Sequence, residues 1–240
     1  MLARTLASLT LLGVAVALSV GQPAPSKTPR VALQVFGDVI GKWNGTGEPK
    51  GTRAEVQAGF WTEKMDWAWA FKGQDAWIKV DFQKSKNFTA GELRYVPSKD
   101  HFAMTLTTLK KEKLTYVGTM QTRDTTKILT LERDGDKESQ RLVFTFLHAN
   151  RFLYKYEIRG DGRPLYALKW KVGATKDGES FAVGTGKPEC VVSGGTATTP
   201  VSFMGKTYYV CCSGCRDEFN ASPAKYVAEF EARLAKKKKK

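Results

Sequence analysis

The chain has 240 residues, four of them cysteine, and lysine plus arginine exceed aspartate plus glutamate by 14. At 42% hydrophobic residues it can bury the core of one medium domain and one small one. Five of the excess positive charges are the terminal run Lys236 to Lys240 and a sixth is Arg4, so the body is basic without being extreme; a nucleic-acid role would need a basic face on a recognisable reader fold, and only weak contact with anionic surfaces follows from its charge.

In chain order, residues 1–21 place one basic residue, Arg4, ahead of an apolar run from Leu6 to Val20. This is the pattern of a signal peptide, shorter than a comfortable membrane span of about 20 residues. Cleavage after Gly21, with Ser19 also small, predicts an exported protein, periplasmic or extracellular, with no stable transmembrane segment; an uncleaved anchor is the alternative. Residues 22–30, with Pro23, Pro25 and Pro29, read as an extended linker.

Val31, Val35 and Val39, with Phe36 and Ile40 beside them, recur at helical spacing and predict a short helix leading into Gly41-Lys42-Trp43. Period-two alternation then takes over. It places Ala54, Val56, Ala58 and Phe60 on one strand face, followed by Trp67, Trp69 and Phe71, then Ile78, Val80 and Phe82, and then Phe102, Met104 and Leu106. The same pattern continues through Leu114/Tyr116, Leu129/Leu131, Leu142/Phe144/Phe146, Phe152 to Ile158 and Tyr166 to Val172. Turn signals at Gly73, Pro97, Gly135 and Gly160 separate several of these runs. About ten short strands without intervening helices predict a mainly β fold, an antiparallel meander over residues 31–173 that closes into a barrel and so removes its edges.

Residues 174–186, rich in glycine, predict a hinge. Beyond it, Val201 to Met204 and Lys206 to Val210 flank Gly205 as a hairpin that delivers Cys211 to the start of a short helix. Ser222-Pro223 then opens a last helix, with Tyr226, Val227, Phe230 and Leu234 on one face and the lysine tail 236–240 at its end. Residues 187–235 therefore read as a small α+β cysteine knuckle.

Cys190 is followed after twenty residues by Cys211 and after three more by Cys215. Three thiols at that spacing suit a small metal knuckle, and soft thiolates favour Zn or Cu(I) over Mg or Ca. Cys212, Ser193 or water is left to supply a fourth ligand. Two other readings stand beside this one: a disulfide from Cys190 to the second cluster, as export allows, and a redox pair Cys212-x-x-Cys215 at a helix N-terminus, which lacks a βαβ setting. A knuckle of about 50 residues is expected to need a metal or a crosslink for stability.

The turn Cys190-Val-Val-Ser-Gly, the run Gly205-Lys-Thr-Tyr-Tyr-Val-Cys-Cys-Ser-Gly-Cys215, Phe219 and Pro223-Ala-Lys-Tyr226 resemble the YHS domain and the related TRASH-type knuckle. The chain departs from that pattern at Val191, where the turn often carries proline. The resemblance covers about residues 187–235 and implies a heavy-metal site with Cys190, Cys211 and Cys215 as ligands, without fixing the ion. The short helix followed by Gly41-x-Trp43 and a meander resembles, more faintly, the lipocalin and calycin group, which implies a cup for a small apolar ligand. Against that, Trp67, Trp69, Phe71, Phe102, Phe144 and Phe152 are bulky enough to fill the barrel themselves.

No catalytic spacing joins Glu55, Glu63, Asp66, Asp81, Glu92, Glu157, His101 and His148, and no nucleophile elbow or phosphate loop is present. The sequence therefore predicts an exported metal-binding protein rather than an enzyme; the alternative is a module that binds a small ligand or an envelope partner, its knuckle only structural.

Overall fold

Alternating inward and outward side chains organise ten strands, which the computed structural model closes into one antiparallel barrel. Residues 27–135, 137–148, 150–178 and 188–237 are described. The expected signal peptide, most of the expected linker and hinge, and the end of the lysine tail lie outside them. The strands are β1 (Gly41–Pro49), β2 (Trp61–Lys72), β3 (Asp75–Gln83), β4 (Phe88–Val96), β5 (His101–Thr108), β6 (Lys113–Arg123), β7 (Thr126–Asp134), β8 (Glu138–His148), β9 (Arg151–Gly160) and β10 (Ala167–Lys176). Each pairs with its sequence neighbours, and β1 pairs with both β2 and β10 to complete the circle.

The predicted first helix is present but wound differently. Thr28 caps α1 (Pro29–Leu33), with Pro29 opening the helix, and the chain then tightens into a 3₁₀ segment, Gln34–Val39. Its period of three aligns Leu33, Phe36 and Val39 on the buried side, whereas Val31 faces solvent. The Phe36 ring lies edge-on to Phe102 (5.2 Å) and Phe146 (5.8 Å) and closes this end of the barrel. Beneath it Trp43, Trp67, Trp69, Phe144, Phe152 and Tyr154 are buried, with Trp43 against Phe152 at 4.7 Å. The protein's own rings occupy the middle of the cup.

Two strand assignments change. Ala54 to Phe60 is not a strand: Thr52 and Glu55 form a reciprocal capping box, and α2 (Arg53–Gly59) follows with no buried side chain. Its alternation was that of an exposed helix. Conversely, β4 escaped the alternation, because a bulge between Phe88 and Ala90 shifts the phase and the inward position between Phe88 and Leu93 is Gly91. A side chain at Gly91 would press on Leu106 and Val80, both at 2.8 Å. Eight of the nine alternating runs are strands, and β1 and β4 bring the count to ten.

After the barrel, β11 (Thr199–Phe203) and β12 (Lys206–Val210) form the expected hairpin. Its turn residues Met204 and Gly205 both have positive φ (48° and 72°), as the tightest hairpins require. Two helices follow, α3 (Ser213–Ala221) and α4 (Pro223–Lys237). Among the described residues no helix is long and apolar enough to cross a membrane.

Candidate metal centre

Three segments meet to build the cysteine cluster. The first is the turn after Pro188, pinned by Cys190 N–H to Gly195 O (2.6 Å), Gly194 N–H to Cys190 O (2.9 Å) and a bridge between Glu189 and Thr196. The second is the end of β12, held beside that turn by the Val191 N–H, which donates to Tyr209 O at 2.9 Å. The third is the first turn of α3, with Cys212 at its N-cap and Cys215 inside it.

The Sγ atoms of Cys190, Cys211 and Cys215 all lie within 4.8 Å of one another. Cys190 and Cys215 are buried, Cys211 is half-buried, and none of the four cysteines is bonded to another. Cys211 and Cys215 stand 3.6 Å apart. Two Zn–S bonds of about 2.3 Å at a tetrahedral angle would separate their sulfurs by about 3.8 Å, so this donor set fits a thiolate-bound ion. Cys212 approaches Cys211 at 4.0 Å but does not belong to the trio. Ser193, buried, lies closer: its Oγ is 3.4 Å from Cys211 Sγ, and its N–H donates to Cys190 Sγ at 3.4 Å.

The thiols do not share one electrostatic setting. Hydrogen bonds from Cys211 and Cys215, with the Ser193 amide, hold Cys190 well below the usual thiol range. Hydrogen bonds from Cys211 and Cys215, with backbone N–H groups of Cys215 and Trp69, do the same for Cys212. Burial pushes Cys215 up, and its bonds to Cys190 and Cys212 push Cys211 up.

No protein-family model matches the chain, and no curated protein matches it. Its chemistry has to be read from its own residues.

Those residues include several for which the sequence carries no local signal. The Arg30 guanidinium donates to Val192 O, pairs with Glu229 at 3.3 Å and lies 5.0 Å over the Tyr226 ring. Gln34 donates to Ser193 O at 3.2 Å. From the other side Arg233 donates to Cys190 O (3.2 Å), Val191 O (2.9 Å) and the Glu189 carboxylate (3.2 Å). Arg233 takes the place expected of Leu234, which is exposed, while Tyr226, Val227 and Phe230 pack on the knuckle as predicted. Phe219 meets Tyr208 at 6.1 Å.

The knuckle is also seated on the closed end of the barrel. Gly37 and Gly195 approach so closely that a Cβ on either would stand 3.1 Å from the other's Cα. Cys190, Val191, Val192, Ala197, Val210, Cys215, Phe219 and Tyr226 belong to the same hydrophobic cluster as the barrel interior. The thin core expected of so short a segment is thus extended by the barrel, and its stability does not rest on a metal alone.

Proposed function

We propose that this chain is an exported protein that binds a soft metal ion, Zn or Cu(I), through Cys190, Cys211 and Cys215, and that it senses, carries or sequesters that ion. The observation that carries this reading is the triangle of three sulfurs within 4.8 Å, two of them buried, drawn from three segments of chain. Such convergence costs conformational entropy and crowds groups that repel once ionised, which a cation offsets. The resemblance of residues 187–235 to YHS and TRASH-type knuckles supports the same ligands, and the pattern of residues 1–21 supports export. A shell of three thiolates leaves room for a labile fourth ligand, which suits exchange better than a closed shell of four.

The test is a metal and free-thiol assay on the mature protein beside a variant with Cys190, Cys211 and Cys215 all changed to serine. One equivalent of zinc or copper, lost in the variant, is the expected result. No metal and fewer than four free thiols would instead make the knuckle a disulfide clip. Release to a chelator within minutes marks a carrier or sensor; an ion that stays for days marks a structural one.

A further inference from the structure

We infer that the open end of the barrel binds a planar aromatic carboxylate, in a site separate from the thiol cluster. The two ends of the barrel differ. One is closed by Phe36 and carries the knuckle. At the other, where β4, β6 and β10 begin, side chains leave a cavity of about 400 Å³, within the range of about 300–1,000 Å³ typical of small-molecule sites.

Its wall is flat and aromatic. Trp170 stacks on Tyr156 (centroids 5.3 Å, 21°) and presents its edge to Tyr154 (5.6 Å, 87°), with Phe88 at 6.1 Å. Leu114 and Tyr116 complete the wall. Such a surface favours another ring over a flexible chain, because offset and edge contacts between rings add to area burial. Depth gives the same answer. Beneath the pocket Trp61 Nε1 and the Tyr154 hydroxyl both donate to the buried Glu63 carboxylate, and both rings also touch Trp170. This floor stops a long alkyl tail from descending into the barrel.

The polar groups select the ligand's charge. Asn87 Nδ2 is buried at the pocket and has no hydrogen-bond partner; a buried donor left unmade costs about 1–3 kcal/mol, which an incoming acceptor would recover. Lys110 also lines the cavity, as does Lys86, whose ammonium donates to Gly59 O at 2.7 Å, against one carboxylate, Glu112. The Tyr116 hydroxyl is engaged by Gln140 at 2.9 Å and does not need the ligand. Donors and cations around a flat apolar wall describe a ring system carrying a carboxylate.

The experiment titrates 2-naphthoate into the full mature chain, followed by tryptophan fluorescence and calorimetry, with neutral 2-naphthalenemethanol in parallel. One saturable site is expected, at least tenfold tighter for the acid. Leu114→Trp, which fills the cavity, and Asn87→Asp, which replaces the donor with a like charge, should each weaken naphthoate at least tenfold. Should either variant unfold on melting, the exposed Lys110→Glu decides in its place, with the same tenfold loss expected. The triple serine variant should bind naphthoate unchanged, so failure of the metal reading and failure of this one are told apart. No saturable binding, equal affinity for the neutral probe, or binding that Lys110→Glu and the folded variants leave intact would overturn the proposal.

Discussion

Gly214, the second residue of α3, lies so close to β2 that a Cβ there would sit 1.9 Å from the carbonyl oxygen of Trp69. A backbone atom cannot swing aside as a side-chain tip can, so Gly214→Ala must push α3 off the barrel. Overpacking of this kind costs about 1–3 kcal/mol. The expected outcome is a lower melting temperature together with weaker metal binding, since Cys215 travels with α3. A glycine kept only for local flexibility would give neither.

Cys212 and Cys215 are three residues apart, yet only Cys215 belongs to the sulfur trio. Cys212→Ser should therefore retain one equivalent of metal, with affinity lowered by no more than the about 10–100-fold typical of a group that only supports the ligands. Cys215→Ser should lose stoichiometric binding. Metal analysis after desalting distinguishes them, and loss of metal in Cys212→Ser would place that thiol among the ligands.

Much of this architecture was legible because the barrel is a period-two object. Trp67, Trp69, Ile78, Val80, Phe144 and Phe152 alternate in sequence and are buried together. What escaped was whatever breaks the period: the bulge and inward glycine of β4, and the Thr52–Glu55 capping box that turns an alternating stretch into a helix. The cysteine site was legible as a spacing. Its support was not, because Arg30 and Gln34 reach Val192 and Ser193 across about 160 positions of chain, and no local pattern encodes a partner that distant.

Val191 ties the Cys190 turn to the hairpin through its backbone. Its N–H donates to Tyr209 O and ties the Cys190 turn to β12. Proline at this position would have no N–H to give. Val191→Pro should cost about 1 kcal/mol from that bond, read as a reduced denaturation midpoint, and should loosen the link between Cys190 and Cys211. Unchanged stability would mean that the turn is held by its other bonds alone.

Glu157 governs an acid-side transition. Burial raises its carboxyl, but hydrogen bonds from Lys155 and Arg141 outweigh that and hold it below the usual carboxylate range; the Arg141 Nε contact is 2.6 Å. Between the depressed folded value and the unfolded value of about 4.3 the unfolded chain binds more protons, so stability falls as pH falls through that window. Glu157→Gln should cost about 1–3 kcal/mol at neutral pH. The gap to the parent should close as pH drops through the folded-state value. Urea titrations at several pH values check this, and a gap independent of pH would contradict it.

Arg233 offers a way to change the metal site without touching a thiol. It bonds the carbonyls of Cys190 and Val191 and the carboxylate of Glu189, while its guanidinium lies 5.5 Å over the Phe230 ring. Arg233→Met keeps most of the apolar stem and removes the donors. Groups that orient a ligand in this way are worth about 10–100-fold in metal affinity. The variant should hold one equivalent but lose it to a competing chelator about 10–100-fold more readily. Arg233→Lys should recover only part of the loss, because a lysine lacks the fixed fork that spans two carbonyls. The melting temperature of the metal-free protein separates positioning from simple structural damage. Positioning predicts that this temperature changes little while affinity drops, whereas equal losses in both would assign Arg233 to the packing of α4 alone.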